Sequence, residues 1–447
     1  MSPPAQSSEN RFGWHRLPAG ASGNRFLSWF AQTWPLWLWC VLAAAVGVKA
    51  LVSPRRHNVW PIFATASQHW QQHLPLYAYY PRLDTYRYSP AFAVAITPLA
   101  SLPLPIGGCL WGMGSVLLLY AALSRLYRDV LADGTDSTDR RAFLALSAIG
   151  VAPMAWNLQS NVLLLALVAY GTAAAARGDM LRAALALVAP VFIKLWPAAW
   201  LAVVMVRRPR AMLVPVACAF AAFAALPFLV DAPHAAQVYC EWGESLGENH
   251  VQRWPGYRDA ITVLNAAGIP IDPLTHRAAQ LIGAAGVLAA AWTANRYSPR
   301  RGLAVGLLAW MCWQLLLGPG SERNTYGMIL PLLAWEVLRV RRSGDAWLFP
   351  ATAMAIVFLF SSGDVERSVG RHAPWASAIL PAAVAAFALG TAIQALQLRR
   401  QPMSRVIGPI PLLAPIAVEE RVTRAPEGFG GSNRRDTEAQ RKQKIDS

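Results

Sequence analysis

Residues 157–204 read NLQSNVLLLALVAYGTAAAARGDMLRAALALVAPVFIKLWPAAWLAVV. Asn157, Gln159 and Asn161 form a polar turn ahead of one apolar run. The basic turn ARGDMLR (176–182) follows, and a second apolar run, Leu181–Val206, carries Lys194 and Pro197 near its middle. A charged side chain inside an apolar run is costly in a bilayer, so it calls for a partner or a function. Proline lacks an N–H and clashes with the preceding turn, which predicts a break at Pro197 and two short helices with IKLWP at their junction. The run is also long enough for one tilted helix, and that alternative stays open at the level of sequence.

The rest of the chain has the same character. Of 447 residues, 55% are hydrophobic and 14% charged, with 19 Trp, a balance that points to repeated membrane crossings. Residues 1–33 are polar and basic, with no short apolar core and small-residue cleavage site, so no cleavable signal peptide is expected. Four of the five cysteines (Cys40, Cys109, Cys218 and Cys312) fall in apolar segments, with no disulfide or metal-type spacing. The net charge of +16 does not indicate nucleic acid, because the arginines sit in short turns such as VRRPR (206–210), RYSPRRG (296–302) and RVRR (339–342). That is the positive-inside pattern of a membrane protein.

The expected fold is all-α and polytopic, with about twelve spans. They lie near 34–53, 105–126, 142–156, 161–177, 181–193, 196–206, 213–230, 277–294, 303–318, 326–340, 348–361 and 376–397. Residues 1–33 form a cytoplasmic segment, 34–397 the membrane domain and 398–447 a disordered basic cytoplasmic tail, able to lie against anionic membrane lipid. Putting the basic turns in the cytoplasm sends 54–104, 157–161, 231–276 and 318–327 to the exterior, around a cavity bordered by short and re-entrant helices. Arg55, Arg56, Arg87, Arg253, Arg258 and Arg323 then face outward against the positive-inside bias, as a bound anion would explain, although translocated loops tolerate some arginines.

Two motifs carry a family resemblance. One is LPLYAYYPRLDTYRYSPAFAVAITPLASLP (74–103), with Tyr86 and Tyr88 in a Y-x-Y-x-P loop followed by a proline-punctuated short helix. The other is the opening stretch, an N-x-Q-x-N turn, an apolar helix, a basic turn and an apolar helix ending in K-x-x-P. Together they resemble glycosyltransferase family 87, membrane glycosyltransferases of the GT-C fold that use polyprenyl-phosphate sugars. The resemblance implies hexose transfer, mannose most commonly, to a lipid or glycan acceptor on the exterior face of a bacterial inner or plasma membrane.

It also implies roles for residues. Lys194, with Arg87 and Arg323, would hold the donor phosphate, since cations that meet its growing charge matter most. Asn157, Gln159, Asn161, Tyr86, Tyr88, Asn324 and Tyr326 would contact substrate, amides being both donors and acceptors for sugar hydroxyls. The family's early-loop aspartate falls about where this chain has Asn58, which cannot serve as a base and is left as a substrate contact. Asp84, His57 and Glu322 are the candidate bases, Asp84 foremost. GENHVQRWPGYRD (247–259), with His250, Arg253, Trp254, Tyr257 and Arg258, suits an amphiphile with a charged head or an interfacial aromatic belt. No DxD, zinc-type, P-loop or redox motif is present, so neither metal nor cofactor is expected. A transporter or lipid flippase, and a catalytically inactive scaffold of the same fold, remain alternatives.

Overall fold

The computed structural model describes residues 22–56, 58–80, 83–132, 137–248, 257–318, 321–343, 346–371 and 373–400. Two compact units are distinguished, Met1–Ala392 and Ile393–Ser447; of the second only the helical residues up to Arg400 are described. The sequence-predicted tail and most of the N-terminal segment therefore lie outside the described residues.

The first half of the chain runs α1 (Ser22–Val52), α2 (Trp60–Gln71), α3 (Pro90–Ala95), α4 (Thr97–Ala100), α5 (Leu104–Leu126), α6 (Ser137–Trp156), α7 (Ser160–Arg177), α8 (Met180–Ile193) and α9 (Pro197–Arg207). The second half runs α10 (Pro209–Val230), α11 (Ala232–Glu248), α12 (Ala260–Ala266), α13 (Pro273–Tyr297), α14 (Pro299–Leu316), α15 (Leu330–Ser343), α16 (Leu348–Ser361), α17 (Asp364–Gly370) and α18 (Ile379–Arg400). Among the described residues the only β-type pairing is an isolated antiparallel bridge between Tyr257 and Glu322. The protein is all-α, as expected.

Among the described residues, five helices are long and apolar enough to cross a bilayer: Gln32–Val52, Leu104–Leu131, Ser160–Arg177, Pro209–Val230 and Trp375–Ala392. A sixth exists if α16 and α17, bent by 84°, count as one span. The count of twelve is thus not reached among the described residues. α6 and α13 are long enough but too polar, while α8, α9 and Gly302–Leu316 are apolar but short. At ~1.5 Å per residue, the 14 residues of α8 and the 11 of α9 fall well short of a ~30 Å hydrocarbon core.

Local signals explain these boundaries. Asp179 caps α8 by accepting from Arg182 N–H at 3.2 Å, after Gly178 ends α7 in the left-handed region at φ +85°. Pro197 opens α9, and Lys194 between the two helices is extended (φ −142°, ψ 142°). The chain therefore breaks where the proline predicts. It also reverses, because Met180 at the start of α8 and Arg207 and Arg208 at the end of α9 and just beyond line one small cavity.

The same end of the bundle collects the basic turns. Arg177 at the end of α7 pairs with Asp129 at 3.0 Å, and Arg342 of α15 pairs with Asp139 of α6 at 2.6 Å. Buried indoles tie helices to one another: Trp39 donates to Leu144 O, Trp111 to Leu158 O, Trp200 to Thr172 Oγ1 and Trp335 to Leu131 O. Each places a polar atom on a partner that costs nothing to bury.

α5 meets the short α4 closely. A Cβ on Gly107 would sit 2.4 Å from the Leu99 carbonyl oxygen, which is backbone and cannot swing away. Gly107→Ala is expected to destabilise the protein by ~1–3 kcal/mol through overpacking. A thermal melt of the detergent-solubilised protein checks it, and an unchanged midpoint would show that the contact is slack.

Candidate functional site

A cavity of about 420 Å³ opens at the end of the bundle opposite the paired arginines. Its floor is the junction of α8 and α9. Lys194 is half-buried there, and its Nζ donates to Asn161 Oδ1 at 3.0 Å. Asn161, fully buried in the first turn of α7, passes its own Nδ2 protons to Gln159 Oε1 at 2.8 Å and Thr325 Oγ1 at 3.3 Å. This relay fixes the amide orientation, so that the oxygen faces the ammonium. Lys194 Nζ also lies 5.9 Å from the centre of the Tyr88 ring, whose hydroxyl meets Ser160 Oγ at 3.4 Å.

The second cation comes from the loop before α3. Arg87 donates through Nη1 to the Tyr257 hydroxyl at 3.1 Å, and its Nη2 is 3.6 Å from Asp84. Burial pushes the Tyr257 phenol above its usual value, against the pull of Arg87, so it stays protonated at neutral pH and can donate onward. Tyr257 is bridged by backbone to Glu322, which brings that carboxylate to the same cavity. Asp84 is exposed and accepts from Thr85 N–H at 2.8 Å, whereas the half-buried Glu322 carboxylate has no hydrogen-bond or ion-pair partner among the described residues.

The cavity wall has two characters. Val59, Ile62, Val191, Ile193, Leu195 and Trp196 make one side apolar. The start of α13 also lines the cavity, where Pro273, His276, Arg277 and Gln280 follow helical spacing and share one face. The sequence reading placed the apolar span from 277 and passed over this stripe, although its i, i+3, i+4, i+7 spacing was visible. α11 closes the cavity with Trp242 and Leu246. It is anchored at its start by Asp231, 3.0 Å from His73 Nε2, and by His234, which stacks on His73 at 4.4 Å.

Of the residues expected at the site, Asp84, Arg87, Tyr88, Gln159, Lys194 and Glu322 line this cavity, and Asn161 supports it from beneath. Others serve the framework. Asn58 Nδ2 donates to Pro54 O at 2.7 Å and its Oδ1 accepts from Trp60 N–H at 3.0 Å, so it shapes the entry to α2. Asn157 bonds back to Pro153 O at 3.0 Å. Tyr86 is buried and donates to Ser89 O, and Tyr326 is fully buried, donating to Arg258 O at 2.6 Å. Arg323 lies 3.7 Å from Glu366, which also takes Arg258 at 2.6 Å, and neither Arg323 nor Asn324 is among the lining residues. His57, His250, Arg253 and Trp254 lie outside the described residues.

Asn161→Leu tests the relay. It leaves the ammonium without its acceptor and Gln159 and Thr325 without their donor, an expected cost of ~1–3 kcal/mol in stability. A lowered melting midpoint together with lost donor affinity is expected. Donor affinity at the wild-type level would remove Asn161 from the positioning of Lys194.

These features define a polytopic helical membrane protein with three cations, Arg87, Lys194 and Arg277, and three carboxylates, Asp84, Asp259 and Glu322, lining a half-apolar cavity. The sequence model of glycosyltransferase family 87 matches residues 86–319, over half of the chain, and the chain belongs to that family. It is thereby a membrane glycosyltransferase. No curated protein and no solved structure matches it. The matched segment contains Arg87, Tyr88, Gln159, Asn161 and Lys194, with Asp84 just before it and Glu322 just after it.

Proposed function

We propose that the chain is a GT-C-type transferase that moves a hexose, mannose by its family resemblance, from a polyprenyl-phosphate donor to a lipid or glycan acceptor. The cavity then faces the exterior of a bacterial inner or plasma membrane, and the arginine turns and basic tail face the cytoplasm. One observation carries this reading. Lys194 stands at a break between two short apolar helices, hydrogen-bonded and aimed into a cavity with one apolar wall. A lipid phosphate needs both halves: a compact cation for the phosphate and an apolar wall for the first isoprene units.

In the reaction, Glu322 accepts the proton of the acceptor hydroxyl as its oxygen attacks the anomeric carbon from the face opposite the phosphate. The bond from that carbon to the phosphate oxygen breaks. Polyprenyl phosphate leaves with the bonding electrons, and Lys194 and Arg87 meet the charge that collects on it. Gln159 and the protonated Tyr257, both lining the cavity, bond sugar hydroxyls in this scheme. Inversion at the anomeric carbon follows from a single displacement.

The test is to incubate membranes containing the protein with polyprenyl-phosphate [14C]mannose and a lipid extract. Label in a new glycolipid or polymer supports the proposal. Movement of unmodified donor across the membrane, with no product, would support a flippase instead.

A further inference from the structure

Tyr257 and Glu322 line the cavity from two segments joined by one antiparallel bridge. The Arg258 N–H extends that pairing by donating to Ser321 O at 2.6 Å. Side chains alternate along extended backbone, so the residue after each of these two groups turns to the opposite face. Both of those residues are arginines. Arg258 follows Tyr257 and Arg323 follows Glu322, and neither lines the cavity, whereas Asp259, next in the alternation, lines it again.

The outer face of the bridge meets α17. Glu366 of that helix is buried, and its Oε1 accepts from Arg258 Nε at 2.8 Å and from Arg258 Nη2 at 2.6 Å. Its Oε2 lies 3.7 Å from Arg323 Nη1. One buried carboxylate therefore ties both segments of the bridge from behind. α17 reaches this place because the chain bends by 84° after α16, through Gly363 at φ +83°. A Cβ on Gly363 would come 2.5 Å from Arg323 Cζ, so the glycine also lets α17 close on that guanidinium.

This placement bears on the base. Glu322 has to stay unpaired to take a proton, yet an arginine follows it and another follows its bridge partner. A guanidinium released from Glu366 would find Glu322 close by, a carboxylate without a partner among the described residues. A charge-assisted pair with it would occupy the oxygens that accept the proton. We propose that Glu366 is a positioning residue for sugar transfer: it holds Arg258 and Arg323 on the outer face of the bridge and so keeps Glu322 open to the acceptor hydroxyl. The inference rests on the reading of Glu322 as the base. It ties α17, which lies beyond the family-matched segment and lines no part of the cavity, to the chemistry.

The experiment uses membranes containing the full-length protein, polyprenyl-phosphate [14C]mannose and a lipid extract, and reads kcat and the donor KM. Glu366→Gln keeps the size of the side chain without its charge. It is expected to lower kcat about ten- to a hundredfold, the scale on which misplacing a reacting group acts, with the donor KM little changed. In the Glu322→Gln background the same substitution should cost no more than about twofold, because the group it protects is already gone. Adding Arg323→Gln to Glu366→Gln removes one of the released cations and should restore part of the rate, which loss of a merely structural ion pair would not allow. Glu366→Asp keeps the charge on a shorter arm, should lose less, and carries the same cycle where the glutamine variant fails to fold. Asp364→Asn, at the exposed start of α17 where Asp364 pairs with Arg367, should transfer like the wild type. Wild-type kcat in a folded Glu366→Gln protein would overturn the proposal, and so would equal losses with and without the Glu322 carboxylate. Wild-type transfer in Glu322→Gln would instead overturn the assignment of the base, and this inference with it.

Discussion

Lys194→Ala should lower sugar transfer roughly 30- to 1,000-fold while leaving the protein folded. The figure follows from the ~2–4 kcal/mol that one preorganised donor contributes to a developing oxyanion, at about 1.4 kcal/mol per factor of ten. The ammonium is already oriented before substrate arrives, through Asn161 Oδ1 at 3.0 Å, so no reorganisation is needed in the transition state. Folding should suffer less. Removing the amine leaves one acceptor, Asn161 Oδ1, unpaired beside an open cavity that water can enter. Lys194→Arg should recover part of the activity, since the charge is kept but the fork is larger than the space beside Tyr88 favours. Initial rates with labelled donor, set beside melting midpoints, separate the two effects. Full turnover in a folded Lys194→Ala protein would mean that the lysine only carries its charge to the interface.

The junction that holds Lys194 was legible in the sequence because each of its determinants is local. Pro197 cannot continue α8, Gly178 and Asp179 mark the turn before it, and the arginines at both ends require an even number of passes between them. The direction of each polar side chain was not legible. Asn157 and Asn161 stand symmetrically about Gln159, yet one bonds back to Pro153 and the other holds the lysine. The difference arises at Leu158, whose φ of +53° turns the chain between α6 and α7. A left-handed leucine costs ~1–2 kcal/mol and has no sequence signature. It persists because the side chain is buried and its carbonyl takes the Trp111 indole. Asn58 shows the same limit. Its position in the first loop suggested a substrate contact, but both ends of its amide are used by the backbone around α2.

The choice among carboxylates rests on tertiary contacts that lie far apart in sequence, and it decides the second prediction. Glu322→Gln should reduce transfer by about 10²–10⁴-fold, the range for loss of a positioned general base, with donor affinity little changed. Glutamine keeps the size and the hydrogen-bonding atoms but has no oxygen able to take a proton at neutral pH. Asp84→Asn should cost much less. Asp84 is exposed, sits 3.6 Å from Arg87 and already accepts from the Thr85 amide, so its carboxylate is engaged within its own loop. If Asp84 instead steadies Arg87, which donates to the Tyr257 hydroxyl, its loss should raise KM for the donor more than it lowers kcat. Single-turnover rates at saturating donor, measured for both variants, distinguish these outcomes. Near wild-type turnover in Glu322→Gln together with a dead Asp84→Asn would transfer the role of base to Asp84. Activity surviving in both would move it outside this pair, with His57 the next residue to change.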